Sequence, residues 1–118
     1  MREEPNFEIF FTEEVMKFLS ELDDQTKCKI LYNITKAQYV NDPELFKKLG
    51  NSSIWEFRTL YNKIQYRLLA FWEPNKEASV VITHGFIKKS AKTPPKEIQK
   101  AAVIKNNYLD ELKKEKKQ

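Results

Sequence analysis

The sequence predicts an α+β fold. It reads as a single domain with the order β-α-α-β-β-β-α: an antiparallel-rich four-stranded sheet, two N-terminal helices packed on one face, and a C-terminal helix. Three observations carry that reading. Apolar residues recur at helical spacing between positions 12 and 41. The period drops to two between positions 53 and 87. Helical spacing returns after the Thr-Pro-Pro at 93–95. A length of 118 residues suits one hydrophobic core that needs no covalent staple.

Phe7-Glu8-Ile9-Phe10-Phe11 is a short aromatic and β-branched run and reads as the first strand. Thr12 offers an N-cap, and Glu13 and Glu14 stand in the first turn, where the helix dipole favours acids. Val15, Phe18, Leu19 and Leu22 follow at i, i+3, i+4, i+7 and form an apolar stripe. Asp23-Asp24 interrupts it and can cap a second helix. The apolar face of that helix is expected at Cys28, Leu31, Ile34 and Gln38, with Ile30 and Ala37 flanking. Asn41-Asp42-Pro43 ends the helix, because the residue before a proline avoids the helical region. Ser53–Leu60, Lys63–Glu73 and Ala78–Ile87 are three strands in succession. Tyr61-Asn62 and the stretch 73–77 are short enough for hairpin turns, so neighbours run antiparallel. Thr93 is expected as N-cap of the last helix with Pro94 at its first position; Ile98, Ala101, Ala102, Tyr108, Leu109 and Leu112 mark its apolar side. The domain spans 1–112, and Lys-Lys-Glu-Lys-Lys-Gln at 113–118 reads as a basic, frayed tail.

Composition removes several function classes. Cys28 is the single cysteine, which excludes an internal disulfide and any cysteine-based metal spacing. His84 is the single histidine, so a zinc site or a Ser-His-Asp triad has at most one candidate member. With two glycines there is no Gly-rich phosphate loop. Neither a cofactor nor a metal is expected. No apolar run approaches the roughly 20 residues that span a bilayer, and Met-Arg-Glu-Glu-Pro-Asn lacks the apolar core of a signal peptide. The expected location is the cytoplasm.

Charge is distributed unevenly. Residues 1–40 carry a net −3 and residues 41–118 a net +7. The basic half concentrates at Lys88, Lys89 and Lys92, just past the apolar run that ends at Gly85. Arg58 and Arg67 each interrupt an otherwise apolar strand, Arg58 sharing a side with Glu56, and Arg67 sharing one with Gln65, Leu69 and Phe71. Mid-strand arginine needs a partner or a groove. Two readings stand: structural ion pairs, Arg58–Glu56 or Arg67–Glu73, or a phosphate clamp, since the guanidinium fork matches phosphate bidentately. The clamp places Arg67 in an open groove bordered by the last strand and the C-terminal helix. His84 is a hydrogen-bonded structural residue or an acid–base group near neutral pH. Phe86 covers the edge of the core or stacks on a base. Converging cations point to a polyanion, foremost RNA. RNA carries its own nucleophile in the 2′-hydroxyl, so cations that align it and stabilise the phosphorane supply much of the catalysis.

Lys-Lys-Leu-Gly at 47–50, Ile-Trp-Glu-Phe-Arg at 54–58, Gln-Tyr-Arg-Leu-Leu at 65–69 and His-Gly-Phe-Ile-Lys-Lys-Ser-Ala-Lys-Thr-Pro at 84–94, in that order and spacing, resemble the phage-derived, HigB-type branch of the RelE/ParE toxin superfamily. The resemblance runs from about Phe7 to Tyr108. It implies the β-α-α-β-β-β-α fold and a toxin of a type II toxin–antitoxin module. It further implies metal-independent, ribosome-dependent cleavage of mRNA and neutralisation by a cognate antitoxin, in this branch a helix-turn-helix protein. Arg58 falls on the basic position of the second strand of that family, Arg67 on the arginine of its Tyr-Arg pair, Lys88 and Lys89 on the basic residues after the Gly-Phe step, and Lys92 on the lysine before Thr-Pro. Studied ribonucleases of the superfamily often carry a tyrosine or a His/Asp pair near the C-terminal end; here no tyrosine lies between Tyr66 and Tyr108, and His84 is the substitute. The catalytic candidates are thus Arg67, Arg58, His84 and Lys89. The RNA-binding candidates are Lys88, Lys92, Phe86, Lys47 and Lys48. Gyrase-poisoning relatives share the fold, so a non-catalytic inhibitory or binding module is the alternative. The antitoxin is expected on the acidic outer face of the N-terminal helix pair, at Glu13, Glu14, Glu21, Asp23 and Asp24, or on the basic groove.

Overall fold

The computed structural model describes residues 4–116. Residues 1–3, part of the stretch read for a signal peptide, and 117–118 of the expected tail lie outside the described residues. The order is β1 (Glu8–Phe11), α1 (Glu13–Ser20), α2 (Asp24–Tyr39), β2 (Phe46–Lys48), β3 (Trp55–Tyr61), β4 (Ile64–Trp72), β5 (Ser79–Lys88) and α3 (Pro95–Lys116). Each early helix starts where its cap requires. The Thr12 hydroxyl accepts from the Val15 amide at 3.3 Å, and the Asp23 carboxylate accepts from the Thr26 amide at 3.4 Å.

The sheet has five strands in the order β1-β5-β4-β3-β2, not four. The fifth is β2, a three-residue edge strand antiparallel to β3, formed by part of the Lys-Lys-Leu-Gly motif. A strand this short has no readable alternation, which is why periodicity misses it. β1 runs parallel to β5, so the sheet is mixed. The chain crosses from one sheet edge to the other through α1 and α2, and a crossover of that length permits a parallel neighbour. The β3–β4 turn falls at Asn62 and Lys63, one residue later than expected, with φ of 50° and 66°.

The two faces of the sheet bury different cores. Val15 and Leu19 of α1 and Ile30, Ile34 and Ala37 of α2 pack on Tyr66, Leu68, Ala70, Val80 and Ile82. The buried stripe of α2 is therefore centred on Ile30, Ile34 and Ala37, and Cys28, expected within it, is exposed. On the opposite face α3 sets Ala101, flanked by Ile98, Tyr108 and Leu109, against Ile54, Leu69, Phe71 and Val81. α3 begins at Pro95 rather than Pro94. The Thr93 hydroxyl, expected as its N-cap, instead donates to Glu56 Oε2. α3 also continues through residues 113–116 of the segment read as a frayed tail.

Candidate nucleic-acid interface

The face covered by α3 is covered only in part, and the remainder collects the basic side chains. Directly opposed residues of antiparallel strands project to the same face. Lys47 opposes Glu56, Arg58 opposes Arg67, and Arg67 opposes Phe86 while Gln65 opposes Lys88. The ladder thus brings Lys47, Arg58, Arg67 and Lys88 to one side of the sheet from four different strands, around the carboxylate of Glu56.

Glu56 organises the group. Its Oε1 lies 3.6 Å from Nε of both Arg58 and Arg67. Glu56 is 1% exposed and Arg67 is 2% exposed. Arg67 is held further by Nη1 donating to the Tyr66 carbonyl at 3.1 Å and Nη2 donating to Gln65 Oε1 at 2.7 Å. Arg67 therefore does not project into an open groove: burial lowers its pKa, and Glu56 is its compensating charge. Of the two ion pairs considered from sequence, Arg58–Glu56 forms, whereas Arg67 pairs with Glu56 and not with Glu73. Glu73 points instead to the Asn75 amide at 2.9 Å in the turn. The pairing is incomplete, because 3.6 Å exceeds hydrogen-bonding distance and Nε of Arg58 and of Arg67 remain buried without an acceptor. Arg58 is less buried and reaches Glu44 Oε2 with Nη1 at 3.6 Å. A small cavity of about 130 Å³ opens onto both arginines, Glu44 and Gln65.

Beside it lies a larger cleft of about 500 Å³, lined by Lys47, Glu56, Lys88, Lys92 and Thr93 among others. Lys88 is half-buried there, and its pKa is lowered, first by burial and then by the neighbouring Arg67. Lys89 is exposed and is not among the residues lining the cleft. Lys48 opposes Trp55 on the α2 side of the sheet and so stands away from the basic group.

His84 belongs elsewhere. It is 1% exposed, with Nδ1 3.0 Å from Thr83 Oγ1 and Nε2 3.1 Å from Glu97 Oε1 of α3. A carboxylate only accepts, so the Nε2 proton points at Glu97. Burial lowers the His84 pKa against the opposing pull of Glu97. The cleft His84 borders is a different one, of about 520 Å³, shared with Glu13, Glu14, Glu21, Phe18 and Lys100. Phe86 lies 6.0 Å from the His84 ring and packs on the core beneath α3, as a residue that covers the core edge does.

Sequence reading missed three participants. Gln65 orients Arg67, Thr93 holds Glu56, and Glu44 reaches Arg58. Only Gln65 left a signal, its position two residues from Arg67 on the same strand. Among the described residues, no group of three or more His, Cys, Asp or Glu side chains is placed to hold a metal ion, and no helix is long and apolar enough to cross a membrane.

No curated protein matches this chain. Residues 17–106, from the middle of α1 to within α3, match the family described as "Phage derived protein Gp49-like (DUF891)". The matched stretch holds the whole basic face, from Lys47 to Lys92, together with the four strands that present it. With most of its length and all of that face inside the match, the chain belongs to the phage-derived Gp49-like family, which is associated with RelE-type, toxin-like proteins.

Proposed function

We propose that this protein is the toxin of a type II toxin–antitoxin module of HigB type and that it cuts mRNA on the ribosome without a metal. The observation that carries the reading is the convergence of Lys47, Arg58, Arg67 and Lys88 on one side of the sheet, with Lys47, Lys88 and Lys92 lining the adjoining cleft. Positive charge drawn from four strands and a loop exceeds what one buried carboxylate needs for balance, and its geometry suits a phosphodiester backbone. The small cavity that opens onto Arg58 and Arg67 is where a phosphate oxygen would meet their guanidinium groups.

Within this reading the 2′-oxygen attacks the adjacent phosphorus and the 5′-oxygen leaves with a proton from the Lys88 ammonium in the larger cleft, giving a 2′,3′-cyclic phosphate and a 5′-hydroxyl. The 2′-hydroxyl proton passes to Glu56, the carboxylate that lines the larger cleft, rather than to His84, whose ring is committed to Glu97. Lys88 and Lys92 hold the flanking phosphates. The antitoxin is assigned to the acidic surface of α1, away from the basic face.

One observation favours the alternative of a non-catalytic inhibitory module. Arg67, the residue a phosphate clamp most needs, is 2% exposed and already paired. Sequencing of 5′ ends and detection of cyclic phosphate termini in a translating extract separates the two. Cyclic termini that appear only with the protein, and only on translated message, support the nuclease. Inhibited growth with intact message and no cyclic termini supports the binding module.

A further inference from the structure

A third cleft, of about 400 Å³, lies on the other side of the sheet, where α2 ends. Its walls include Phe7, Phe46, Trp55 and Trp72, and its rim includes Val40 and Asp42. The rings pack against one another as one cluster. Trp55 and Trp72 stand nearly perpendicular, at 80° with centroids 5.8 Å apart. Phe46 lies 4.9 Å from Trp55, and Phe7 lies 5.3 Å from Trp72. Trp72 remains 37% exposed, so the cluster presents an indole to solvent.

Three features give this cleft one electrostatic preference. Ring faces carry the negative part of the aromatic quadrupole. Asp42 is anchored by its Oδ1 accepting from the Glu44 amide at 2.9 Å. The cleft also meets the C-terminal end of α2, whose C-cap is Val40, and the last turn of a helix presents the negative end of its dipole. Among the described residues no lysine or arginine lines it; Lys48 opposes Trp55 across the strand pair but is not part of the wall.

We propose that this cleft receives an arginine side chain presented by a partner protein. A planar guanidinium can stack on one indole while donating to the carboxylate, and it is less strongly hydrated than an ammonium. A partner protein, rather than a free cation, is indicated by the neighbourhood. Phe46 belongs to β2, the terminal strand of the sheet, whose outer side has no strand beside it among the described residues. A segment seated in the cleft therefore finds backbone to pair with. The site is on the face opposite the basic group and stands independently of the RNA reading.

Both tryptophans of the chain line this cleft, so their two indole Nε1–H signals report on it directly. The probe is acetyl-Ala-Arg-Ala-amide, titrated by NMR beside its citrulline and leucine counterparts and spermidine. The arginine peptide should shift both signals saturably, and the neutral citrulline peptide should bind at least about tenfold more weakly. Asp42→Asn keeps the oxygen that caps Glu44, so the fold is retained. It should weaken the arginine peptide several-fold and leave the citrulline peptide unchanged. Equal binding of arginine and citrulline peptides, stronger binding of the leucine peptide, stronger binding of spermidine, or no saturable shift overturns the proposal.

Discussion

Arg58 and Arg67 stand directly opposite each other in the β3–β4 ladder, two like charges on one side of a half-covered sheet. Such a pair repels unless an anion lies between. Glu56 supplies it, 3.6 Å from each Nε and itself buried. Removing one member of a buried charge group leaves the rest uncompensated and costs about 3–5 kcal/mol. Glu56→Gln preserves shape and the Thr93 contact, and is expected to lower the unfolding free energy by roughly that amount in urea titrations. A loss below about 1 kcal/mol would show that the group is solvent-screened after all.

Arg67→Ala is expected to destabilise as well, because Arg67 is 2% exposed and holds three partners. The phosphate-clamp reading of the sequence places it in a groove, where its loss would leave the melting midpoint nearly unchanged. The structure reverses that expectation, so loss of growth arrest in this variant must be read against its folded fraction. Thermal melts of purified Arg67→Ala decide the point: an unchanged midpoint restores the open-groove picture.

Lys88, Lys89 and Lys92 test the polyanion reading without touching the core, since Lys89 and Lys92 are exposed and Lys88 is half-buried. Each lysine that neutralises a phosphate should, when replaced by alanine, reduce the slope of log K against log[salt] by about 0.7 to 0.9. Lys88 and Lys92 line the cleft and Lys89 does not, so Lys88→Ala/Lys92→Ala should account for most of the triple variant's change. Equal slopes for wild type and the triple alanine variant remove these lysines from the interface.

His84 makes stability depend on pH. Burial lowers its folded pKa from the ordinary 6.5. The unfolded chain then takes up the proton first as pH falls, so stability is greatest above about 6.5 and declines below it. His84→Gln removes this contribution. The stability difference between wild type and variant should therefore shift against wild type on going from pH 7.5 to 5.5, by chemical denaturation at about those two values. A difference independent of pH would mean that His84 keeps its ordinary titration when folded.

Gly85 explains how α1 meets the sheet. A Cβ placed there falls 2.5 Å from Phe18 Cδ2 and 2.6 Å from Cε2, so the ring lies directly on the β5 backbone. Gly85→Ala should cost about 1–3 kcal/mol through overpacking. Adding Phe18→Leu should recover part of that loss in a double-mutant cycle. Additive effects would place the strain elsewhere.

The sequence by itself determined the elements whose side chains repeat often enough to declare a period. Val15, Phe18 and Leu19 define α1, the alternation through Tyr66, Leu68 and Ala70 defines β4, and Thr12 and Asp23 announce the helix starts. A phage-derived, toxin-like family association was also legible, in short motifs held in order across residues 47–94. Tertiary structure alone decided the rest. β2 has three residues and exists because β3 offers it an edge. β1 lies beside β5 because two helices carry the chain across the sheet. Thr93 leaves the helix cap because a buried carboxylate offers its hydroxyl a charged acceptor. Arg67 looked equally suited to a groove or an ion pair, since that choice depends on how far α3 and the loop after β5 close over the sheet. Local pattern records which face a residue occupies; only packing against distant segments sets the depth at which its charge is buried.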